Sequence, residues 1–455
     1  MTASRQRFRG WLLALGVVLA AGLAVAGTWA APRPPEPEAP ARATSLRAGV
    51  ARVDITPPLE MKAALGGYGD RMSRPATGVH DRIWAKALWL TDGRSNVVLV
   101  SVDALCFPPP VRKAVWEKLR AAQVRLDEML LLPSHSHNSF DLMALHPDNV
   151  FAIPQMGVFH QAAFDHVTAK LAEVITAAGQ TLEPIHVGTG QKQLPGWHRN
   201  RRSATGVVDP ELLLTRFDRV DGSPFAVLVN WAAHPTFLGP QDMLFSGDWP
   251  GSLQRCLEEF IGQGVTVLYA NGAQGDLSPT PRPGAGQRWE QVEAYGRGLA
   301  LECHKLWRDI RTQPENDLQH HRESITLPPR KKHQDFMKIG GKEYGLLDQG
   351  LELMLHRLFP TTTDSVSVRI GPLVIVGVPG EMAAGLGLEV KNQVKRETRA
   401  AFVAIGGLAK EWISYILSPE EYRRGGYEAT ISFYGDELGP AIVTGVVRGA
   451  KALGR

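Results

Sequence analysis

The sequence predicts an α/β fold in which a central, largely buried sheet is covered by helices. Four apolar runs carry that expectation: MLLL (129–132), PFAVLVNW (224–231), VTVLYA (265–270) and PLVIVGV (372–378). Strands apolar at every position belong to a sheet covered on both faces. Helical spacing lies between the runs. In FDHVTAKLAEVITAA (164–178), Phe164, Val167, Leu171, Val174, Ile175 and Ala178 share one face. The 455 residues, 44 % apolar and 21 % charged, suffice for a large core in one or two domains.

Along the chain, Arg5, Arg7 and Arg9 precede an apolar run from Trp11 to Ala31. Residues 1–31 therefore read as a signal peptide or as an uncleaved N-terminal membrane anchor, with cleavage the preferred reading. Either way the remainder is exported: periplasmic, secreted or tethered to the membrane. Residues 32–46 form a proline-rich linker, and one folded domain spans 47–455. AGVARVDITPP (48–58) is a first strand halted by two prolines. Gly66-Gly67-Tyr68-Gly69 lacks the Lys-Ser/Thr of a phosphate loop and reads as turn chemistry. Strands at 82–90 and 96–105 flank the turn Asp92-Gly93-Arg94. Further helices are expected at 111–122, 251–260 and 290–307. No internal repeat is present.

A net charge of +4 and the lack of a basic stripe interleaved with aromatics give no footprint for nucleic acid. Cys106, Cys256 and Cys303 are too few and too far apart for a disulfide framework or a zinc knuckle. Cys256, among Leu253, Leu257, Phe260 and Ile261 at helical spacing, reads as a core thiol.

Each apolar run leads into polar groups. His135 and His137 follow the first, His234 the second, Asp276 and Ser278 the third, and Glu381 the fourth. Alternate positions on an extended backbone point the same way, so His135 and His137 should share one space. In α/β sheets, sites gather at the carboxyl ends of strands. Two histidines and a carboxylate placed there suit a catalytic zinc, with three protein ligands and an open position. Taken singly, each has an ordinary reading as a strand cap or turn residue. Asp248 and Asp276 read as loop-shaping groups.

The domain resembles the neutral/alkaline non-lysosomal ceramidase family from about Ala48 to Tyr434. The matching segments are Gly49-Val-Ala-Arg-Val-Asp54-Ile-Thr-Pro-Pro58, Gly67-Tyr-Gly69, Gly78-Val-His-Asp-Arg82, Ser134-His-Ser-His137, Asn200-Arg201, Ala233-His234-Pro235, Gly275-Asp-Leu-Ser-Pro279, Gly380-Glu381 and the stretch from Tyr415 through Tyr427-Glu428. The resemblance implies one zinc ion per chain, held by His135, His234, Glu381 and Tyr415. It implies His137, Arg201 and Tyr427 around the scissile amide, and Ser278 as the residue usually assigned as nucleophile. The implied reaction cleaves N-acylsphingosine to a fatty acid and sphingosine, with an amphiphilic N-acyl lipid as substrate and contact with a membrane surface. On chemical grounds water attack is preferred, with Ser278 orienting. Two other readings stand beside this one: a zinc amidase acting on another N-acyl lipid, an N-acyl amino acid or a cell-wall amide, and a non-catalytic surface binding module. Trp197, His198 and Trp249 either line an apolar entry for an acyl chain or pack in the core. The chain departs from the family after His137, where Asn138-Ser139-Phe140 replaces Ser-Gly-Pro. It is also expected to lack the C-terminal β-sandwich domain of well-known members.

Overall fold

In the computed structural model, residues 45–262 and 264–454 are described. The segment expected as signal or anchor, and all but the last two residues of the proline-rich linker, lie outside them. Eight strands form one large mixed sheet: β1 (Arg47–Asp54), β2 (Trp84–Thr91), β3 (Asn96–Val102), β4 (Glu128–Pro133), β5 (Glu183–Gln193), β6 (Glu211–Arg219), β7 (Pro224–Trp231) and β8 (Thr266–Asn271). Their order is β8-β7-β6-β5-β1-β2-β3-β4, and the short strand Gln313–Pro314 pairs with β5 as a ninth. β3/β4 and β7/β8 are parallel, and the other pairings are antiparallel.

A second sheet holds β9 (Leu318–Thr326), β10 (Thr362–Ile370), β11 (Leu373–Gly377) and β12 (Phe402–Gly406), in that order. Seven longer helices pack around the sheets: α1 (Pro109–Ala121), α2 (Gln161–Ala178), α3 (Asp248–Ile261), α4 (Trp289–Asp309), α5 (Asp348–Leu358), α6 (Ala384–Thr398) and α7 (Leu438–Lys451). Among the described residues no helix is long and apolar enough to cross a membrane.

The expectation of helices on both faces of one sheet needs correction. Alternation along each strand divides the core. Met129 and Leu131 of β4 pack with Val111, Val115, Val167 and Leu171 of α1 and α2. Leu130 and Leu132 point the other way and meet Val366, Val368, Leu373 and Ile375 of the second sheet. Val227 and Val229 of β7 pack with α3 and α4, whereas Val374 and Val376 of β11 pack with α6 and α7. The layers are thus helix, sheet, sheet, helix. An all-apolar strand looks the same under a helix or under another sheet, so the sequence pattern could not separate the two.

Buried amides and hydroxyls tie strand ends together. Ser101 Oγ donates to the carbonyl of Tyr269 (2.7 Å) and accepts from its N–H (2.9 Å), so β3 and β8 meet although they are far apart in strand order. Asn271 Nδ2, at the end of β8, donates to the carbonyls of Ser134 (3.1 Å) and Ala233 (3.2 Å). Those two residues directly precede His135 and His234. Asn230 Nδ2 donates to Ala270 and Ile405, which fastens the two sheets to each other.

Leu132→Ala removes a fully buried side chain from between the sheets. It should cost about 2–5 kcal/mol, read as a lower denaturant midpoint with an unchanged slope.

Candidate active site

His135 follows β4 and adopts φ +72°, the left-handed region that a residue with a Cβ rarely occupies. Its N–H donates to Ala104 (2.8 Å), which holds the turn. The backbone is therefore bent rather than extended at this position, contrary to the sequence argument. The two rings still share one space, with centroids 4.9 Å apart and nearly perpendicular planes. The His234 ring lies 4.7 Å from that of His135. His135, His137 and His234, all buried, offer ring nitrogens within 4.8 Å of one another and could hold a metal ion.

Glu381 enters from the second sheet's side, just beyond β11. Its Oε2 lies 2.9 Å from His234 Nε2 and 3.2 Å from His135 Nε2. Trp412 Nε1 donates to its other oxygen (2.8 Å). The tautomers follow from the far side of each ring. His135 Nδ1 faces the carbonyl of Leu105 (2.8 Å), and His234 Nδ1 faces that of Gln274 (2.7 Å). A carbonyl only accepts, so each Nδ1 carries the hydrogen and each Nε2 of a neutral ring presents a lone pair.

Burial, then Arg201, lowers the His234 pKa to about 4. Burial alone would raise the Glu381 carboxyl, but His135 and His234 hold it well below the usual range. Lone pairs of imidazole and carboxylate thus converge at hydrogen-bond distance, and His135 Nε2 has no hydrogen-bond partner. A shared cation resolves that arrangement. The carbonyl-anchored Nδ1–H groups are the outer-shell partners that metal-binding imidazoles use.

Tyr415 sits opposite Glu381 in the short parallel pair Glu381–Met382 and Tyr415–Ile416. Its ring lies parallel to that of His234, with centroids 6.5 Å apart. Burial and then Glu381 raise its phenol well above the usual value, against the opposing pull of Arg201. Arg201 donates to the Tyr415 hydroxyl (3.0 Å), the Gly275 carbonyl (3.0 Å) and Glu428 (2.7 Å). Arg202 binds the other oxygen of Glu428 (2.6 Å). The Tyr427 hydroxyl pairs with that of Tyr344 (2.8 Å). Burial, followed by the other two histidines, drives the His137 pKa well below normal, and neither ring nitrogen has a hydrogen-bond partner.

Seven of the eight site residues expected from sequence are thus neighbours. Ser278 differs. It lies on the short strand Leu277–Pro279, opposite Arg199. It is not among the residues lining the cavity, and no side-chain hydrogen bond links it to a histidine. Asp276 accepts from Ala384 N (2.8 Å) and Asn200 Nδ2 (2.6 Å), and its carbonyl accepts from Arg201 N (2.8 Å), so it shapes the arginine loop as expected. Asp248 Oδ1 accepts from Trp249 N (2.6 Å) at the start of α3.

The centre opens into a mainly apolar cavity of about 110 Å³. Its walls include Leu105, Leu142, Met143, Met354, Phe359 and Phe433. Trp197, His198 and Trp249 are not among its lining residues: Trp197 and Trp249 edge onto Tyr295, and His198 packs on Trp231. Core packing is their role.

Several site residues escaped the sequence argument. The Gly66–Gly69 loop, read as turn chemistry, packs on His137. Gly67 has φ +88°, and a Cβ there would meet His137 Nδ1 at 2.3 Å. Arg71 donates to the carbonyls of Gly66 (2.6 Å) and His137. Trp412 and Tyr344 carry no spacing signal. They matter only because the fold brings them to Glu381 and Tyr427.

Scaffold and site define an α/β protein with a buried histidine–carboxylate centre able to hold a metal ion beside an apolar cavity. The profile of the neutral/alkaline non-lysosomal ceramidase N-terminal region matches residues 46–291 and 312–443. The neutral ceramidase of Drosophila pseudoobscura is 30 % identical over 90 % of this chain and 75 % of its own length. That of Pseudomonas aeruginosa is 21 % identical over 87 % of this chain and 70 % of its own. The crystal structure of the P. aeruginosa neutral ceramidase superposes with a TM-score of 0.75, covering 90 % of this chain and 74 % of that one. The chain belongs to the neutral/alkaline ceramidase family, and so to the hydrolases acting on amide bonds.

His234→Ala should lower bound divalent metal well below one per chain, measured by elemental analysis. An equimolar content in that variant would remove His234 from the ligand set.

Proposed function

We propose that this protein is an exported, zinc-dependent amidase that cleaves N-acylsphingosine, or a close N-acyl lipid, to a fatty acid and an amine. The observation carrying the reading is the convergence of His135 Nε2 and His234 Nε2 on Glu381 Oε2 beside an apolar cavity that His135 and Glu381 line. The relatives named above are ceramidases, which supports the substrate class. Export rests on the basic start and apolar run of residues 1–31. The apolar cavity walls fit contact with a lipid surface, from which such a substrate must be drawn.

His135, His234 and Glu381 would hold the ion, with Tyr415 as the fourth donor. When bound, zinc supplies a Lewis acid for the amide carbonyl and lowers the pKa of a water to about 7. Imidazole and carboxylate donors without a thiolate suit this borderline ion.

The chain's own groups do the rest. Arg201, which burial disfavours as a cation but Glu428 and Glu381 keep charged, and the Tyr427 hydroxyl donate to the oxyanion that develops on the carbonyl. Tyr344 completes the pair of hydroxyls and orients Tyr427. His137 is neutral at pH 7 with unpartnered nitrogens, so it can accept the proton of the attacking water and pass it to the leaving amine. Among the described residues no side-chain hydrogen bond links Ser278 to a histidine that could take its proton, which favours water as the nucleophile, with Ser278 orienting.

A second reading is favoured by size. At about 110 Å³ the cavity is smaller than the roughly 300–1,000 Å³ of pockets that hold drug-sized ligands. A shorter N-acyl amide would fit it without movement of the walls.

Fatty-acid release should be faster from ceramide than from short-chain amides when the zinc-loaded protein is offered both. The reverse order would establish the shorter-amide reading. Arg201→Ala should lower turnover about 10²–10³-fold with bound zinc unchanged, and full turnover in that variant would remove Arg201 from the oxyanion's partners.

A further inference from the structure

Asn138-Ser139-Phe140, just past the two histidines, leads directly into Asp141, and Asp141 lines the cavity. The wall around it is apolar: Leu105, Cys106, Leu142, Met143 and Met156. Only one of its oxygens is used. Oδ1 accepts from the backbone N–H groups of Met143 (2.8 Å) and Ala144 (2.9 Å). No donor among the described residues reaches Oδ2, no cation pairs with it, and it is not sealed off by protein atoms. Other buried acids differ. Glu128 is held by Arg112 and Arg322, and Asp209 by Lys391. Asp248 also has an unpartnered Oδ2, but that residue is buried inside the protein.

The carboxylate is held in place. The Asp141 N–H donates to Ala64 (3.2 Å), and Phe140 is buried and bridged to Leu65. A Cβ added at Gly157 would come within 2.2 Å of Oδ1. The position is also close to the reaction centre. Gly66 and Gly67 pass between the two groups: a Cβ on Gly67 would meet His137, and one on Gly66 would meet the Asp141 backbone at 2.8 Å. Asp141, His137 and Glu381 line one cavity, so a substrate seated in it can meet all three. Burial lifts this carboxyl to about 6, still mostly ionised at neutral pH. A carboxylate oxygen with no protein donor, on a residue of a largely apolar cavity wall, is an acceptor left for a ligand's donor.

We propose that Asp141 is a specificity residue, whose free oxygen accepts a hydrogen bond from a hydroxyl carried by the substrate near its amide. The inference rests on the amidase reading above. A hydroxyl fits better than an ammonium group, because desolvating a second charge against Leu142 and Met143 is expensive. A few placed polar groups in an apolar pocket are the usual means of fixing orientation.

The test uses the zinc-loaded full chain and three long-chain amides, identical except for a hydroxyl, a hydrogen or an ammonium group beside the amide. Both Kd and kcat/KM are measured. Asp141→Asn keeps an oxygen for Met143 and Ala144, so its Tm should stay near wild type while its second position becomes a donor. Wild type should favour the hydroxyl compound over the hydrogen compound by roughly 10- to 100-fold, and Asp141→Asn should abolish the preference. Equal Kd values for these two compounds in wild type overturn the proposal without any variant, as does tighter binding of the ammonium compound. Turnover with an unchanged ratio in Asp141→Asn overturns it and leaves the amidase reading standing. A hydroxyl preference in Kd that Asp141→Asn abolishes, with no turnover of any amide, sustains the Asp141 assignment and defeats the amidase reading.

Discussion

Three acceptor atoms that cannot satisfy one another set the terms for the rest of the site. Glu381 Oε2 lies 2.9 Å from His234 Nε2 and 3.2 Å from His135 Nε2, and backbone carbonyls hold the protons of both imidazoles on the far sides of the rings. In a buried, low-dielectric place, such a cluster is unfavourable unless a positive charge joins it. The surrounding fold resists its relaxation. Trp412 fixes the outer oxygen of Glu381, and Asn271 holds the carbonyls just before both histidines. Unmet charge at this point is therefore a built feature, and the nearby donors Arg201 and Tyr427 are arranged around it.

The two-sheet architecture explains how groups so far apart in sequence meet. The histidines come from strands of the large mixed sheet, while Glu381 and Tyr415 come from the side of the second sheet. The centre sits where strand ends of the two sheets approach, and the inter-sheet core of leucine, isoleucine and valine sets their separation. Loss of packing between the sheets would disperse the ligands even with every ligand present. Stability and metal binding are thus coupled through the same buried surface.

Much of this was legible in the chain. The apolar runs located β4, β7, β8 and β11, and the polar residues just past them located the histidines and the glutamate. Periodicity gave most of the buried face of α2: Val167, Leu171, Val174, Ile175 and Ala178 are buried, Phe164 only partly. Other features were not legible, for definite reasons. A strand covered by a sheet and one covered by helices have the same pattern, so the second sheet went unseen. The left-handed turn at His135 leaves no trace in residue type. Gly67, Arg71, Tyr344 and Trp412 act through contacts across the fold, which no local spacing encodes. Asp141 carries no spacing signal, and only the fold makes it a lining residue of the cavity.

The central claim is that imidazole and carboxylate groups at this point bind one zinc ion without sulfur. Zinc-edge X-ray absorption on the purified protein measures that coordination shell directly. The predicted result is a shell of nitrogen and oxygen only, at about 2.0–2.1 Å, with the scattering signature of at least two imidazoles. A sulfur shell near about 2.3 Å, or a fully active protein that holds no metal, would contradict the account.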